Sequence, residues 1–494
     1  MSPDPSGLNK LQIYKMLKIN NSSKLAGGII ALSVFAGYSF NTGEKSKIKK
    51  PNIIVLLVAD AGYADFGFMG SKDLKTPNID KLAAGGVIFT DAHVSATVCG
   101  PSRAGIMTGR YQQRFGFECN PSSDSCGVDL NEITIASALK KEGYTTAAFG
   151  KWHLGTKPGY RPNERGFDYY WGFLSGSRSY FSNPKTDQQG KSQAITENFT
   201  PITFDGYLTD RLGDKAVDFI GKNKDKPFFI YWAPNAVHTP MEAKTEDLAL
   251  FEGHPRQKLA AMTWALDRAV GNIVAKLKKE GLLENTLLFF LSDNGGAANN
   301  QSTNFPLKGF KGNKFEGGHR VSFFVAWASE IKGGKTFNGL TSSLDIYASA
   351  LDAANEKTSA GKNLDGVSLI PFLTGTKQGD PHQKLFWRKD KMASVRVGDY
   401  KLIRVEKLPS VMYNLSADLG EKVNLSSNDQ EHFQQLDSEL KNWEKETIAP
   451  LWTEGARWDT ITWMIHQDLM LNRPVRAHDP GQLKMVKRMD AEIN

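Results

Sequence analysis

Apolar residues first run together without interruption from Ile53 to Val58. A run of aliphatic and β-branched residues with no polar alternation predicts a strand buried on both faces, as in a parallel sheet. Tyr144–Phe149, Pro227–Trp232 and Thr286–Ser292 have the same texture. Between these runs the spacing is helical. Helices are predicted over Thr76–Ala83, with Pro77 in its first turn, over Ala104–Thr108, closed by Gly109, and over Thr134–Glu142, closed by Gly143. Two more are predicted over Leu208–Ile220 and about Arg256–Lys279. Strands alternating with helices define an α/β, doubly wound sheet. Residues 156–205 are polar and rich in Gly, Asn and Tyr, and predict loops over a site rather than core.

After Gly366 the pattern changes to short strand-like runs, Lys384–Trp387, Met392–Val397, Tyr400–Val405 and Met412–Leu415, then a helix over Glu431–Glu446. This predicts a small C-terminal subdomain, an antiparallel sheet with a packed helix. Beyond it, Trp452, Trp458 and Trp463 are expected to wrap back onto the body or to meet sugar rings. The expected division is a signal peptide over 1–36, a linker over 37–50, a catalytic domain over 51–375 and the C-terminal subdomain and tail over 376–494.

Lysines precede the apolar run Leu25–Phe40, which is too short and glycine-rich for a membrane span. It reads as a secretory signal cleaved after Ala36, with Met16 a candidate start, and places the protein in the periplasm or outside the cell. The net charge is +8, but four of the lysines precede residue 36, against one aspartate, leaving +5 for the rest. No basic stripe with interleaved aromatics is present, which excludes a general nucleic-acid binder.

The chain has three cysteines. Cys119 and Cys126 flank a polar turn, and in an oxidising compartment they either pair across it or stay as free thiols. If they pair, Cys99 is left over. A lone cysteine ordinarily packs as a small hydrophobe. Here it stands in Cys99-Gly100-Pro101-Ser102-Arg103, one helical turn before an arginine that can reach it.

Other polar residues follow strand ends, where open α/β sheets bind ligands. They are Asp60, Lys151, His153, His238, Asp293 and Asn294, joined by Lys308 and Lys311 from a later loop. Asp and Asn oxygens suit a hard cation. Lysines and an arginine suit a small tetrahedral oxyanion, and histidines suit proton transfer.

On these residues the chain resembles the formylglycine-dependent sulfatases of the alkaline phosphatase superfamily, over roughly residues 50–440. The matching motifs are Cys99–Arg103, Gly109-Arg110, Gly150–Gly155, Ser292–Gly296 and Glu316–Gly318. The resemblance implies a large, mixed, mostly parallel sheet sandwiched by helices. It also implies a maturation enzyme that converts Cys99 to formylglycine, whose hydrate attacks sulfur. By the same resemblance Asp60, Cys99, Asp293 and Asn294 hold calcium or magnesium, and Arg103 and His153 hold and deprotonate the hydrate. Lys151 and Lys311 bind sulfate, and His238 protonates the leaving oxygen. Lys311 aligns better than Lys308. The family usually has two adjacent aspartates after the first strand, whereas here the pair is Ala59-Asp60.

The run Val58–Gly67 looks like that of marine bacterial sulfatases acting on carrageenans. A sulfated galactan is therefore the expected substrate, with Arg178, His319, Trp171, Tyr180 and Arg320 in reach of sugar or a neighbouring sulfate. Two other readings stand beside it: a phosphate or phosphonate monoester hydrolase on the same fold, and a non-catalytic glycan-binding relative.

Overall fold

The computed structural model describes residues 50–355 and 363–482. The apolar run Leu25–Phe40 and the expected cleavage site lie outside the described residues. Among those described, no helix is long and apolar enough to cross a membrane.

The first part of the chain supplies strands β1 (Asn52–Val58), β2 (Val87–Phe89), β3 (Ala92–His93), β4 (Thr145–Lys151), β5 (Tyr169–Phe173), β6 (Thr196–Glu197) and β7 (Thr200–Pro201). Then come β8 (Phe228–Ala233), β9 (Thr286–Ser292), β10 (Phe323–Ala326), β11 (Lys335–Phe337) and β12 (Thr341–Ser342). Ten of these form one sheet in the order β11-β2-β10-β9-β1-β8-β4-β5-β6-β7. Its centre, β9-β1-β8-β4-β5, is parallel throughout. Ile54 of β1 pairs with Ile230 on one side and Leu288 on the other.

The predicted two-sided burial is seen directly in β1. Ile53, Val55 and Leu57 enter a core shared with Ile106, Leu139 and Ile346, from helices on one face. Ile54, Leu56 and Val58 enter the opposite core, with Leu212 and Leu266. Successive side chains point to opposite faces, so a strand covered on both must be apolar at every position. Each such side chain contributes about 1.5–3 kcal/mol.

A separate antiparallel sheet near the C-terminus joins β13 (Lys384–Lys389), β14 (Met392–Val397), β15 (Tyr400–Val405) and β16 (Val411–Asn414). The helix Gln430–Glu444 lays Leu436, Leu440 and Trp443 on it. The sheet is joined to the main body through the Trp387 indole N–H, which donates to the Val94 carbonyl at 2.7 Å.

Two expectations are corrected, and one open alternative is decided. Residues 156–205 are not all loop: Tyr169–Phe173 is a strand of the main sheet, because Trp171 and Phe173 are apolar enough to be buried in the core. The helix expected from Ala104 begins at Cys99, since Pro101 fits a first turn and needs no intrahelical N–H partner. Of the two readings open for Cys119 and Cys126, the structure has the free thiols. Cys126 instead lies 3.4 Å from the Ser123 hydroxyl.

Candidate active site

The parallel strands end on one edge, and the segments leaving β1, β4, β8 and β9 converge there with the N-terminus of the helix Cys99–Thr108. Cys99 Sγ lies 3.6 Å from Asp60 Oδ1. Asp60 is gripped by Lys311, whose Nζ lies 2.8 Å from each carboxylate oxygen. His238 Nε2 stands 3.6 Å from Asp60 Oδ2, and Asn294 Nδ2 donates to Oδ1 at 2.9 Å.

On the other side of Cys99, Arg103 donates from Nε and Nη2 to one oxygen of Asp293, at 3.0 and 2.7 Å. Its Nη1 donates to the Lys151 carbonyl at 2.9 Å, and the Tyr231 hydroxyl lies 3.4 Å away. Lys151 Nζ and His153 Nδ1 are buried with no hydrogen-bond partner among the described residues. A buried ammonium without a partner is costly, and an anionic ligand is the natural way to satisfy it.

Two site residues have left-handed backbones, Asp60 at φ 61° and His153 at φ 62°. For an ordinary L-residue this costs of order 1–3 kcal/mol and persists only where the surroundings impose it. At Asp60 the carbonyl accepts from Asn300 Nδ2 at 3.1 Å and from the Ser302 hydroxyl at 3.0 Å. At His153 the N–H donates to the Leu174 carbonyl at 3.1 Å.

Electrostatics fix the protonation states. Burial pushes the Asp60 carboxyl up, but Lys311, His238 and Lys151 outweigh it and hold it below the usual carboxylate range. Burial acts against the Lys311 charge, yet Asp60 holds its pKa above the ordinary value. Burial, then Lys151, pushes His153 well below the ordinary histidine value, so it is neutral. Burial also lowers His238, only partly offset by Asp60, to about 4. Its Nδ1 lies 2.6 Å from the Thr239 carbonyl, an acceptor, so Nδ1 carries the proton. Burial and Asp293 push the Cys99 thiol up. It is therefore a protonated thiol and a weak nucleophile. Lys151, Arg103 and Lys311 outnumber the two carboxylates, so the pocket favours an anion.

The donor set also fits a hard cation. Asp60 and Asp293 lie side by side, with the Asp60 N–H 3.2 Å from Asp293 Oδ1. Asn294 Oδ1 is buried and lacks a partner among the described residues. Asp60, Cys99 and His238 bring ligand atoms within 4.8 Å of one another. His93, Glu316 and His319 do the same elsewhere, but Lys401 Nζ already sits 2.9 Å from Glu316 and 3.1 Å from His319.

Asp60, Cys99, Arg103, Lys151, His153, His238, Asp293, Asn294 and Lys311 are thus brought together. Arg178 and His319 are not available to substrate. Arg178 is buried, paired with Asp187 at 2.9 Å and bonded to the Gln193 carbonyl at 2.8 Å. His319 is stacked on Trp387 with ring centroids 3.9 Å apart. Trp171 lies in the core, and Arg320 is bonded to the Thr90 carbonyl. Lys308 turns to the Glu421 carbonyl and Asn472. Of the tryptophans near the C-terminus, Trp452 packs edge-on against Phe117, while Trp458 is exposed.

Sequence reasoning missed Tyr231, Asn300 and Ser302, and misplaced Tyr180. The Tyr180 hydroxyl lies 2.7 Å from the Asn235 carbonyl and 2.8 Å from that of His238. A cluster of Asn and Ser just after Asp293-Asn294 was the only available signal for the Asp60 supports.

The Sulfatase family model matches residues 51–356, and the chain belongs to that family. It is 32% identical over 404 residues to the uncharacterized sulfatase YdeN of Escherichia coli K12, covering 70% of each chain. It is 32% identical over 376 residues to the mouse (Mus musculus) N-acetylgalactosamine-6-sulfatase, covering 71% of each. Among solved structures it is similar to Ps i-CgsB in complex with k-i-k-neocarrahexaose. That match has a TM-score of 0.78 and 37% identity, over 85% of this chain and 98% of the other.

Proposed function

We propose that this sulfatase removes ester sulfate from a sulfated galactan of the carrageenan type, using a formylglycine made from Cys99. The observation that carries the reading is the setting of Cys99. A protonated thiol at a helix N-terminus is ringed by Arg103, Lys151 and Lys311, an environment for a sulfate ester rather than a thiolate. The neocarrahexaose bound by the structural relative supports the galactan assignment.

Converted and hydrated, position 99 supplies a hydroxyl for attack on sulfur and a second whose deprotonation expels sulfate. A calcium or magnesium ion, held by Asp60, Asp293, Asn294 and position 99, would supply Lewis-acid polarisation. Arg103, fixed by Asp293, orients position 99. Neutral His153 is the base that takes a proton from the hydrate. Lys151 and Lys311 bind sulfate oxygens and offset charge developing on them. His238 holds its Nε2 toward the leaving oxygen, and the anionic ester favours the proton it must deliver there. The lysine-preceded apolar run Leu25–Phe40 supports export to the periplasm or beyond.

The test is sulfate release from carrageenan oligosaccharides by protein co-expressed with a formylglycine-generating enzyme. Release is expected, with loss in Cys99→Ala and the peptide mass of an aldehyde at position 99. Turnover of another sulfated glycan alone would overturn the substrate. Faster turnover of an aryl phosphate than of the matched aryl sulfate would overturn the reaction.

A further inference from the structure

The segment that shields His153 continues into a second feature. Leu174 accepts the His153 N–H at 3.1 Å and donates its own N–H to the Ser192 carbonyl at 2.9 Å. Gly176 lies so near the imidazole that an added Cβ would come within 2.6 Å of it. Leu174 and Ser192 then form one wall of a groove of about 330 Å³. That is within the volume of small-molecule clefts, about 300–1,000 Å³.

The groove carries three cationic side chains, Lys157, Arg161 and Lys191, against one carboxylate, Asp124. Asp124 is engaged by the Thr156 hydroxyl at 2.7 Å. Arg161 donates from Nε to the Thr156 carbonyl at 2.9 Å, which fixes its guanidinium. None of the three cations forms an ion pair with a carboxylate among the described residues. Phe199, 54% exposed, presents a ring at the same groove. Unpaired cations beside an exposed aromatic ring suit a sulfated sugar: its sulfate meets the charges and its C–H face meets the ring.

We propose that this groove is a second binding site, holding a sulfated sugar of the same polyanionic chain beyond the one being desulfated. The proposal rests on the sulfatase reading for its chemistry but not for its test. It also gives a role to the loop between Cys119 and Cys126, which contributes Asp124 to one wall.

The binding arm uses full-length protein carrying Cys99→Ala, titrated calorimetrically with a carrageenan hexasaccharide. Adding K157E and K191E is expected to weaken binding at least tenfold, and adding F199A instead to weaken it severalfold. All three side chains are exposed or at the surface, so melting temperatures should be unchanged. If the double charge reversal lowers the melting temperature, K157Q and K191Q replace it with the same expectation. Equal affinity in parent and charge variants overturns the proposal. So does inorganic sulfate binding as tightly as the hexasaccharide, which would mark a simple anion site.

The kinetic arm uses matured enzyme with native Cys99. The charge reversal should raise KM for the hexasaccharide about tenfold and leave kcat/KM for an aryl sulfate within twofold. A proportional loss on both substrates overturns the proposal. If the matured parent turns over neither substrate, the sulfatase reading fails, while the calorimetry still decides the groove.

Discussion

Lys311 Nζ lies 2.8 Å from both carboxylate oxygens of Asp60. Next to Asp60 in the chain, the position at which the resemblance implies a second aspartate is Ala59, which is fully buried. With one carboxylate fewer, the lysine is the strongest partner Asp60 has. Lys311→Ala removes a cation from the sulfate pocket and is expected to lower kcat/KM by about 10²–10³-fold, the scale for losing one preorganised charge-stabilising group. It also frees Asp60, so calorimetric calcium binding should tighten. Weaker calcium binding in the variant would show that Lys311 supports the cation site rather than competing with it.

Chelation gives a separate check on the oxygen donors. A ligand that binds only the folded state raises its stability by mass action. Treating the matured enzyme with a chelator is expected to cut turnover more than tenfold and lower the melting temperature, with recovery on adding calcium. Asn294→Ala loses a buried hydrogen bond to Asp60 and should lower the chelated melting temperature, and should in addition reduce the calcium-dependent rise. Full activity after exhaustive chelation would sink the cation assignment.

Tyr180 braces the backbone at His238. Its hydroxyl lies within 2.8 Å of the carbonyls of both Asn235 and His238, and its ring stacks on Tyr207 with centroids 5.4 Å apart. Tyr180→Phe keeps the stack and loses the hydroxyl. We expect kcat to fall about tenfold with KM little changed, a positional effect on proton delivery. The loss should shrink for aryl sulfates whose leaving groups need no proton. An equal loss for good and poor leaving groups would assign Tyr180 a merely structural role.

The contrast between Lys311 and Tyr180 shows what the sequence carried. Strands such as Ile53–Val58 announce themselves because burial on both faces demands apolar residues at every position. The groups at their ends follow from that placement together with the family motifs, so Asp60, His153 and Asp293 were legible. Side chains on irregular segments have no such period. Arg178, Tyr180 and His319 all looked able to meet sugar, yet each is turned inward: Arg178 by Asp187 and Gln193 of its own irregular segment, Tyr180 by the distant His238 carbonyl, and His319 by the distant Trp387 and Lys401. Strand β5 was hidden for a related reason, since its five residues lie in a polar stretch and pair with β4 only once the sheet has formed.

Lys401 tests the junction between the two sheets. It is fully buried and lies 2.9 Å from both Glu316 and Glu421. Lys401→Met leaves two buried carboxylates without their common cation, although Arg320 still reaches Glu316 at 3.3 Å. Breaking a buried ion pair from one side costs about 3–5 kcal/mol. Chemical denaturation should show a loss of that order. A loss under about 1 kcal/mol would mean that the remaining arginines carry the charge balance of the cluster.

His382 supplies a pH-dependent contribution away from the active site. Its Nε2 lies 2.7 Å from Asp345 Oδ1. Burial acts to lower its pKa, but the Asp345 carboxylate outweighs burial and raises it above the ordinary 6.5. Because the folded value is the higher one, the folded state binds the proton more tightly than the unfolded chain does. The stabilisation is fully present below about pH 6.5 and is lost as pH rises through the folded pKa. His382→Gln keeps a hydrogen-bond donor but cannot titrate. The melting temperature of the variant should therefore lie furthest below that of the parent at pH 5.5, and the gap should narrow by pH 9. A gap independent of pH would show that the pair contributes packing and hydrogen bonding but no linked proton.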